Sequence, residues 1–160
     1  MNIFGNINII KVDKPEFMHH REDLTFEEKL KFSATNFGAI NGNQIMFPLN
    51  VFNQYSHVPQ RYRTRNNPFE IERGFYDKDE IEITIPENYA VESKPENFQL
   101  KDKFGEYKFE IQIIGQNKIN YKREIFIYKG YYEKTEYENF RKFREQIAKA
   151  DNSKIVIVKK

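Results

Sequence analysis

The sequence predicts a mainly β protein: an antiparallel β-sandwich with one C-terminal α-helix packed on it and a final short strand. Polar and apolar residues alternate over residues 106–113 and 119–127, which is the period of half-buried strands. Apolar residues recur at helical spacing over residues 135–150. An unbroken apolar run over residues 155–158 then predicts a strand buried on both faces.

The strongest strand signal is a long hairpin. Its first strand places Tyr107, Phe109, Ile111 and Ile113 on one face, and residues 115–118 form the turn. The second strand places its apolar residues on one face in the same way: Ile119, Tyr121, Ile125 and Ile127. Phe126 and Tyr128 interrupt its polar face, which predicts that the far end of the strand is covered on both sides.

Weaker patterns predict the remaining strands. Alternation over residues 80–85 predicts a strand that ends at Pro86, because proline has no N–H for a ladder. Asn41-Gly42 predicts a type I′ hairpin turn with arms over residues 30–40 and 43–51. We also expect a strand over residues 3–12, with Ile7 and Ile9 inward, followed by a loop over residues 13–22.

The helix has a predicted start and a predicted buried face. Thr135 and Glu138 have the spacing of a capping box, in which each side chain accepts a free backbone N–H. The apolar positions that follow form one stripe: Tyr137, Phe140, Phe143, Ile147 and Ala150. Residues 151–153 end the helix.

Composition bounds the domain count and excludes several functions. With 160 residues we expect a single domain, with subregions 1–54 and 55–160 inside it. The absence of Cys excludes disulfides and thiolate chemistry, and no glycine motif for phosphate or cofactor binding occurs. A net charge of +2 gives no case for nucleic-acid binding, and no apolar run is long enough to span a membrane. We therefore expect no cofactor, no resident metal and no enzymatic activity.

The sequence from Arg65 onward resembles the C-terminal domain of unknown function of bacterial transglutaminase-like proteins, in the transglutaminase/protease superfamily. The matching segments are residues 65–69, 79–86, Pro95, 104–107, 121–123, 130–132, 137–143 and 153–156. Met1–Thr64 fits more loosely. In that family a β-rich domain and a papain-like core with a Cys–His–Asp arrangement precede this domain. Because this chain has no Cys, no catalytic residue carries over.

The resemblance implies an accessory domain without the enzyme. We expect the chain to be a fragment of a larger parent protein, located in the periplasm or cell envelope although residues 1–6 do not read as a signal peptide. The family assigns this domain no established function.

Two clusters of residues have side chains that can bind metal ions. His19-His20, with His57 and Glu16 or Asp23, would complete a zinc site only if the fold gathered them, and the alternative is a polar loop. The carboxylates of Asp77, Asp79 and Glu80 lack the spacing of a calcium loop, and the alternative is a solvated turn.

Two aromatic or basic segments suggest binding. Residues 61–65 carry three arginines and a tyrosine, which suit phosphate, a carboxylate-rich partner or single-stranded nucleic acid; internal pairing with Glu70, Glu72 and Asp77 is the alternative. A tyrosine-rich set suits either a carbohydrate platform or a core wall: Tyr121, Tyr128, Tyr131, Tyr132 and Tyr137.

We interpret the chain as a non-catalytic accessory domain that packs against or positions a transglutaminase-like catalytic domain. The alternative is a freestanding glycan- or peptide-binding β-sandwich module. Aromatic and arginine side chains dominate the energetics of covered surfaces, and residues 55–65 contain no acidic residue. The predicted partner-binding residues are Tyr55, Arg61, Tyr62, Arg63, Arg65, Tyr131 and Tyr132.

Overall fold

A computed structural model describes residues 8–160. Over these residues the chain forms fourteen strands, one short 3-10 helix and one α-helix. The strands are β1 Asn8–Val12, β2 Glu16–His20, β3 Thr25–Lys29, β4 Phe32–Thr35, β5 Ala39–Asn41, β6 Gln44–Pro48, β7 Phe69–Ile71, β8 Phe75–Thr84, β9 Tyr89–Ser93, β10 Phe98–Asp102, β11 Gly105–Ile114, β12 Lys118–Ile127, β13 Gly130–Tyr132 and β14 Lys154–Lys159. The 3-10 helix is Lys134–Glu136, and α1 is Tyr137–Asp151.

The chain divides into two compact units, Met1–Ala39 and Ile40–Lys160. The boundary lies earlier than residue 54 because β6 pairs with β14, which places residues 44–48 in the second unit. The expectation that all 160 residues form a single domain stays a prediction. None of the helices in the described part of the chain has the length and apolar character needed to cross a membrane.

The first unit contains two antiparallel strand pairs, β1 with β4 and β2 with β3. The predicted loop over residues 13–22 is wrong, because Glu16–His20 forms a strand. Its pairing with β3 brings rings together across the strands: His19 lies 4.8 Å from Phe26, and Phe17 lies 6.0 Å from Phe26. Of the strand predicted over residues 3–12, β1 covers 8–12, and Ile7 lies outside the described residues.

A four-stranded antiparallel sheet in the order β10-β11-β12-β8 forms the centre of the second unit. The predicted hairpin is confirmed as β11 and β12, and the strand predicted over residues 80–85 is the end of β8. The inner face is buried: Tyr107, Phe109, Ile111, Ile119, Tyr121, Ile125 and Ile127. The far end of β12 is open on its outer face, where Phe126 stays 43% exposed, so the prediction of cover on both sides is wrong.

A second four-stranded antiparallel sheet has the order β5-β6-β14-β9, and β7 and β13 form a separate antiparallel pair. The hairpin predicted at Asn41-Gly42 is confirmed with shorter arms, but its two turn residues are Gly42 and Asn43. The turn is not type I′, because only Gly42 has a positive φ, of 61°. In the predicted last strand, β14, only Ile155 and Ile157 are fully buried, so the expectation of full burial on both faces is wrong.

The predicted helix is confirmed as α1, but its predicted cap is wrong. Thr135 lies inside the preceding 3-10 helix, and the N-cap is Glu136, whose side chain accepts no capping hydrogen bond from the backbone of the helix. Phe143 and Ile147 are buried on the sheet side, and the Phe143 ring lies 5.9 Å from that of Phe104. The mainly β fold with one packed C-terminal helix and a final short strand is therefore confirmed.

Candidate functional site

The most buried polar feature is an ion pair between β12 and the end of α1. Arg123 is 1% exposed, and the Asp151 side chain is 0% exposed. Nε and one terminal nitrogen of Arg123 donate to the two carboxylate oxygens of Asp151, at 2.8 and 3.1 Å. This paired geometry is the strong arrangement for an arginine and a carboxylate. It fixes the last residue of the helix to the middle of the sheet.

Three neutral groups complete the surroundings of Asp151. The Tyr107 hydroxyl donates to it at 2.8 Å, the Asn50 side-chain amide at 3.1 Å, and the Tyr55 backbone N–H at 2.7 Å. The carboxylate thus accepts five hydrogen bonds and joins β11, β12, α1 and the segment after β6. Because its oxygens are occupied and buried, the arrangement suits a structural role rather than proton transfer to a substrate.

A second carboxylate lies on the other side of Arg123. The remaining terminal nitrogen donates to Asp79 at 2.6 Å, and Asp79 also accepts from the Asn53 side-chain amide at 2.6 Å. Burial opposes the charge of Arg123, but Asp151 and Asp79 more than offset this, so the pKa of Arg123 is raised. Burial is also the main cause that raises the pKa of Tyr107 and of Tyr121.

Sequence reasoning missed this network, although one signal was present. Arg123 occupies the position between Tyr121 and Ile125 in the inward series of β12, where an apolar residue is expected. A charged residue at such a position requires a buried partner. In the sequence Asp151 marks only the end of the helix, and no spacing rule connects it to Arg123.

The predicted partner-binding arginines lie on an irregular segment beside α1. Arg61 and Arg63 are exposed, and Tyr62 is 50% exposed. Arg65 is half-buried: its guanidinium lies 4.2 Å from the centre of the Tyr137 ring and donates to the carbonyl oxygen of Asn67 at 2.9 Å. Arg65 is therefore mainly an anchor for this segment.

Tyr55 is also an anchor rather than an exposed contact. The Arg144 guanidinium donates to the Tyr55 hydroxyl and, at 2.6 Å, to the carbonyl oxygen of His57. Burial lowers the pKa of Arg144, and its contact with Tyr55 opposes that shift. The segment is held again at Gln60, whose carbonyl oxygen accepts from the Tyr137 hydroxyl at 2.8 Å.

The adjacent residues Tyr131 and Tyr132 differ in exposure, because Tyr131 faces solvent and Tyr132 packs against other rings. Tyr131 is 66% exposed. Tyr132 packs against Phe69 and Phe104, with ring centres 5.2 and 4.8 Å apart, and its hydroxyl donates to the carbonyl oxygen of Lys103 at 3.2 Å. Of the seven predicted partner-binding residues, four remain accessible: Arg61, Tyr62, Arg63 and Tyr131.

The five tyrosines considered for a carbohydrate platform do not lie together. Tyr121 is buried on the inner face of the central sheet. Tyr128 lies at the end of the outer face, where its hydroxyl donates to Glu106 at 2.6 Å. Tyr132 and Tyr137 both contact Phe69. The platform alternative is therefore wrong, because Tyr121 and Tyr128 lie on opposite faces of the central sheet, whereas the packing of Tyr121, Tyr132 and Tyr137 agrees with the core-wall alternative.

The acidic and histidine clusters are also dispersed. Asp79 faces Arg123, whereas Glu80 faces outward and pairs with Lys122 at 3.1 Å. His20 lies 3.5 Å from Glu27 in the first unit. Over residues 8–160, no three His, Asp or Glu side chains are grouped to hold a metal ion.

Together these features define a class: a mainly β domain whose C-terminal helix is fixed to the central sheet by a buried ion pair. Residues 43–157 match the family described as "Domain of Unknown Function with solved-structure structure (DUF3858)". The chain belongs to this family, which confirms the expected domain of unknown function. No curated protein and no solved structure matches it.

Proposed function

We propose that the chain is a non-catalytic accessory domain that packs against or positions a transglutaminase-like catalytic domain of its parent protein. The resemblance of residues 65–160 to the C-terminal domain of bacterial transglutaminase-like proteins supports the partner and a periplasmic or envelope location. Membership in a family of domains of unknown function is compatible with this role but does not assign it.

The observation that carries the proposal is that residues 55–65 form an irregular segment held in place by specific contacts. Irregular segments are normally mobile, but this one is anchored at Tyr55, His57, Gln60 and Arg65 by contacts with α1 and the following residues. The side chains of residues 60–64 remain exposed. A pre-ordered surface loses less conformational entropy on binding, which favours association.

The exposed side chains have the chemistry of a covered surface. Tyr62 lies 5.8 Å from Tyr137 in a tilted ring pair, and Arg61 and Arg63 flank it. Tyrosine and arginine are enriched among the residues that contribute most to interface energies. We therefore assign Arg61, Tyr62 and Arg63 to the surface that contacts the catalytic domain, which we call the arginine–tyrosine segment.

The first unit supports the same proposal independently. No side chain over residues 11–39 is buried. Phe17 and Phe26 are both more than half exposed, and Leu24 is 90% exposed. Exposed apolar side chains are typical of surfaces that a partner covers. We propose that the same catalytic domain covers this β2–β3 hairpin.

The reading frame that encodes the chain provides the first test. The proposal predicts an upstream transglutaminase-like segment with a Cys, a His and an Asp in its catalytic arrangement. A reading frame that carries an unrelated upstream domain would contradict it.

A binding measurement tests the surface. The catalytic segment, produced separately, is expected to bind the 160-residue chain, and Arg63→Glu is expected to weaken binding about tenfold by placing a negative charge on the arginine–tyrosine segment. Lys94→Glu makes the same charge change at another exposed position and is the matched control. If Arg63→Glu and Lys94→Glu weaken binding equally, the arginine–tyrosine segment is not the surface that contacts the catalytic domain.

A freestanding glycan- or peptide-binding module remains the alternative function. It predicts that the chain retains an oligosaccharide or peptide without any catalytic segment. The outer face of the central sheet favours this second candidate.

A further inference from the structure

The outer face of the sheet β10-β11-β12-β8 changes character at one end. Most of this face carries charged cross-strand pairs, such as Lys122 opposite Glu80 and Lys108 opposite Glu124. At the end where β8 begins, Tyr76 lies opposite Phe126, and the two side chains are 52% and 43% exposed. Two large aromatic rings therefore face solvent side by side on a polar surface.

Neighbouring groups fix the orientation of these rings. The Tyr76 and Phe126 ring centres are 6.1 Å apart with their planes at 80°, and the Phe126 and Tyr128 ring centres are 4.9 Å apart at 88°. The Tyr128 hydroxyl is held by Glu106 at 2.6 Å. Glu124 lines the same surface beside Tyr76. The rings thus form a corner rather than a flat platform, and one ring face and one ring edge can contact the same ligand.

A shallow depression on this surface combines the rings with polar side chains. Tyr76 and Phe126 line it together with Gln99, Glu106, Lys108 and Glu124. These groups supply two carboxylates, an amide and an ammonium within one concave surface. A small number of placed polar groups beside aromatic rings is the usual composition of a small-ligand site.

The charges of the depression are already balanced. Glu106 pairs with Lys101 at 2.6 Å, and Glu124 lies 3.6 Å from Lys108. A cationic ligand would compete with two lysines, and an anionic ligand would meet two carboxylates. An uncharged ligand with many hydroxyl groups keeps both ion pairs and adds hydrogen bonds to them.

We propose that this corner is a binding site for neutral oligosaccharides. The apolar face of a sugar ring stacks on an aromatic ring of the Tyr76–Phe126 pair. Its hydroxyls donate to Glu106 and Glu124 and exchange hydrogen bonds with the Gln99 amide. The site is independent of the arginine–tyrosine segment and of the proposed catalytic partner.

An NMR titration of the 160-residue chain tests the site with defined probes. Cellohexaose, xylohexaose and mannohexaose are the neutral probes, oligogalacturonate is the acidic probe, and oligolysine is the cationic probe. We expect at least one neutral probe to bind with a Kd of about 1 mM or tighter, and to shift the amide signals of residues around Tyr76 and Phe126. Binding of none of the neutral probes, or of a charged probe alone, would overturn the proposal.

Variants separate a sugar site from a strand-pairing role of the two rings. Tyr76→Ala and Glu124→Gln are each expected to weaken binding at least tenfold, whereas Tyr76→Phe keeps the stacking ring and most of the affinity. Ile114→Ala removes an exposed apolar side chain from the other end of the same face and should leave binding unchanged. If Tyr76→Ala lowers stability but binds the neutral probe as the original chain does, the rings only pair strands and the proposal fails.

Discussion

Replacement of Arg123 by methionine measures the contribution of the buried ion pair to stability. Arg123 donates two hydrogen bonds to Asp151 and one to Asp79. The variant leaves the fully buried carboxylate of Asp151 with neutral donors only. Removal of one partner of a buried pair typically costs about 3–5 kcal/mol, and we expect a loss of free energy of unfolding in that range.

A second substitution tests whether the uncompensated charge causes the loss. Asp151→Asn in the Arg123→Met background removes that charge and keeps an oxygen acceptor for Tyr107. The double variant is therefore expected to recover roughly 2 kcal/mol relative to Arg123→Met, because an unpaired buried charge costs more than an unpaired amide. Lys122→Met is the matched control: it is the adjacent residue, but its exposed pair with Glu80 should contribute less than about 1 kcal/mol.

Urea unfolding, followed by circular dichroism and by tyrosine fluorescence because the chain lacks Trp, gives these free energies. The effect of Lys122→Met should shrink in high salt, whereas that of Arg123→Met should not, since buried pairs are screened less. A loss below about 1 kcal/mol for Arg123→Met would refute the reasoning, as would equal effects of the two variants.

Three further predictions concern the helix, a turn and the buried tyrosines. Phe143 is buried and Phe140 is half-buried, so in urea melts Phe143→Ala should lower the free energy of unfolding by about 3–5 kcal/mol and Phe140→Ala by roughly 2 kcal/mol. The reverse order would contradict the packing of α1. Gly105→Ala should lower the melting temperature far more than Gly115→Ala. A Cβ at Gly105 would meet the carbonyl oxygen of Phe126, whereas a Cβ at Gly115 would have nothing within 4 Å. Similar melting temperatures of the two variants would refute this. Burial raises the pKa of Tyr107, so the hydroxyl ionises in the unfolded chain at about pH 10 but stays protonated when folded. Stability should therefore fall as pH rises above about 10, and Tyr107→Phe should flatten that fall in pH-dependent melts; an unchanged slope would contradict the assignment.

The elements that the sequence predicted correctly have strong periodic patterns. β11, β12 and α1 each bury one apolar face, so local spacing determines both their type and their orientation. β2 was missed because Glu16–His20 buries no face, and its pairing with β3 depends on contacts between rings rather than on alternation. The capping box failed because a 3-10 helix occupies its first positions.

The candidate sites were less predictable because each depends on contacts distant in sequence. Arg123 and Asp151 are 28 positions apart, and Tyr107 and Asp151 are 44 apart. Tyr76 and Phe126 become neighbours only through the register between β8 and β12. The sequence predicted a binding surface over residues 55–65, which stays a prediction, and it did not indicate that Tyr55 and Arg65 would serve as anchors.

The affinity between the 160-residue chain and the separately produced upstream catalytic segment tests the accessory role most directly. Titration calorimetry at low salt is expected to give one-to-one binding, with a Kd about tenfold weaker for Arg63→Glu than for the original chain and no change for Lys94→Glu. No binding at high micromolar concentrations, or binding that Arg63→Glu leaves unchanged, would contradict the proposal that the arginine–tyrosine segment packs against the catalytic domain.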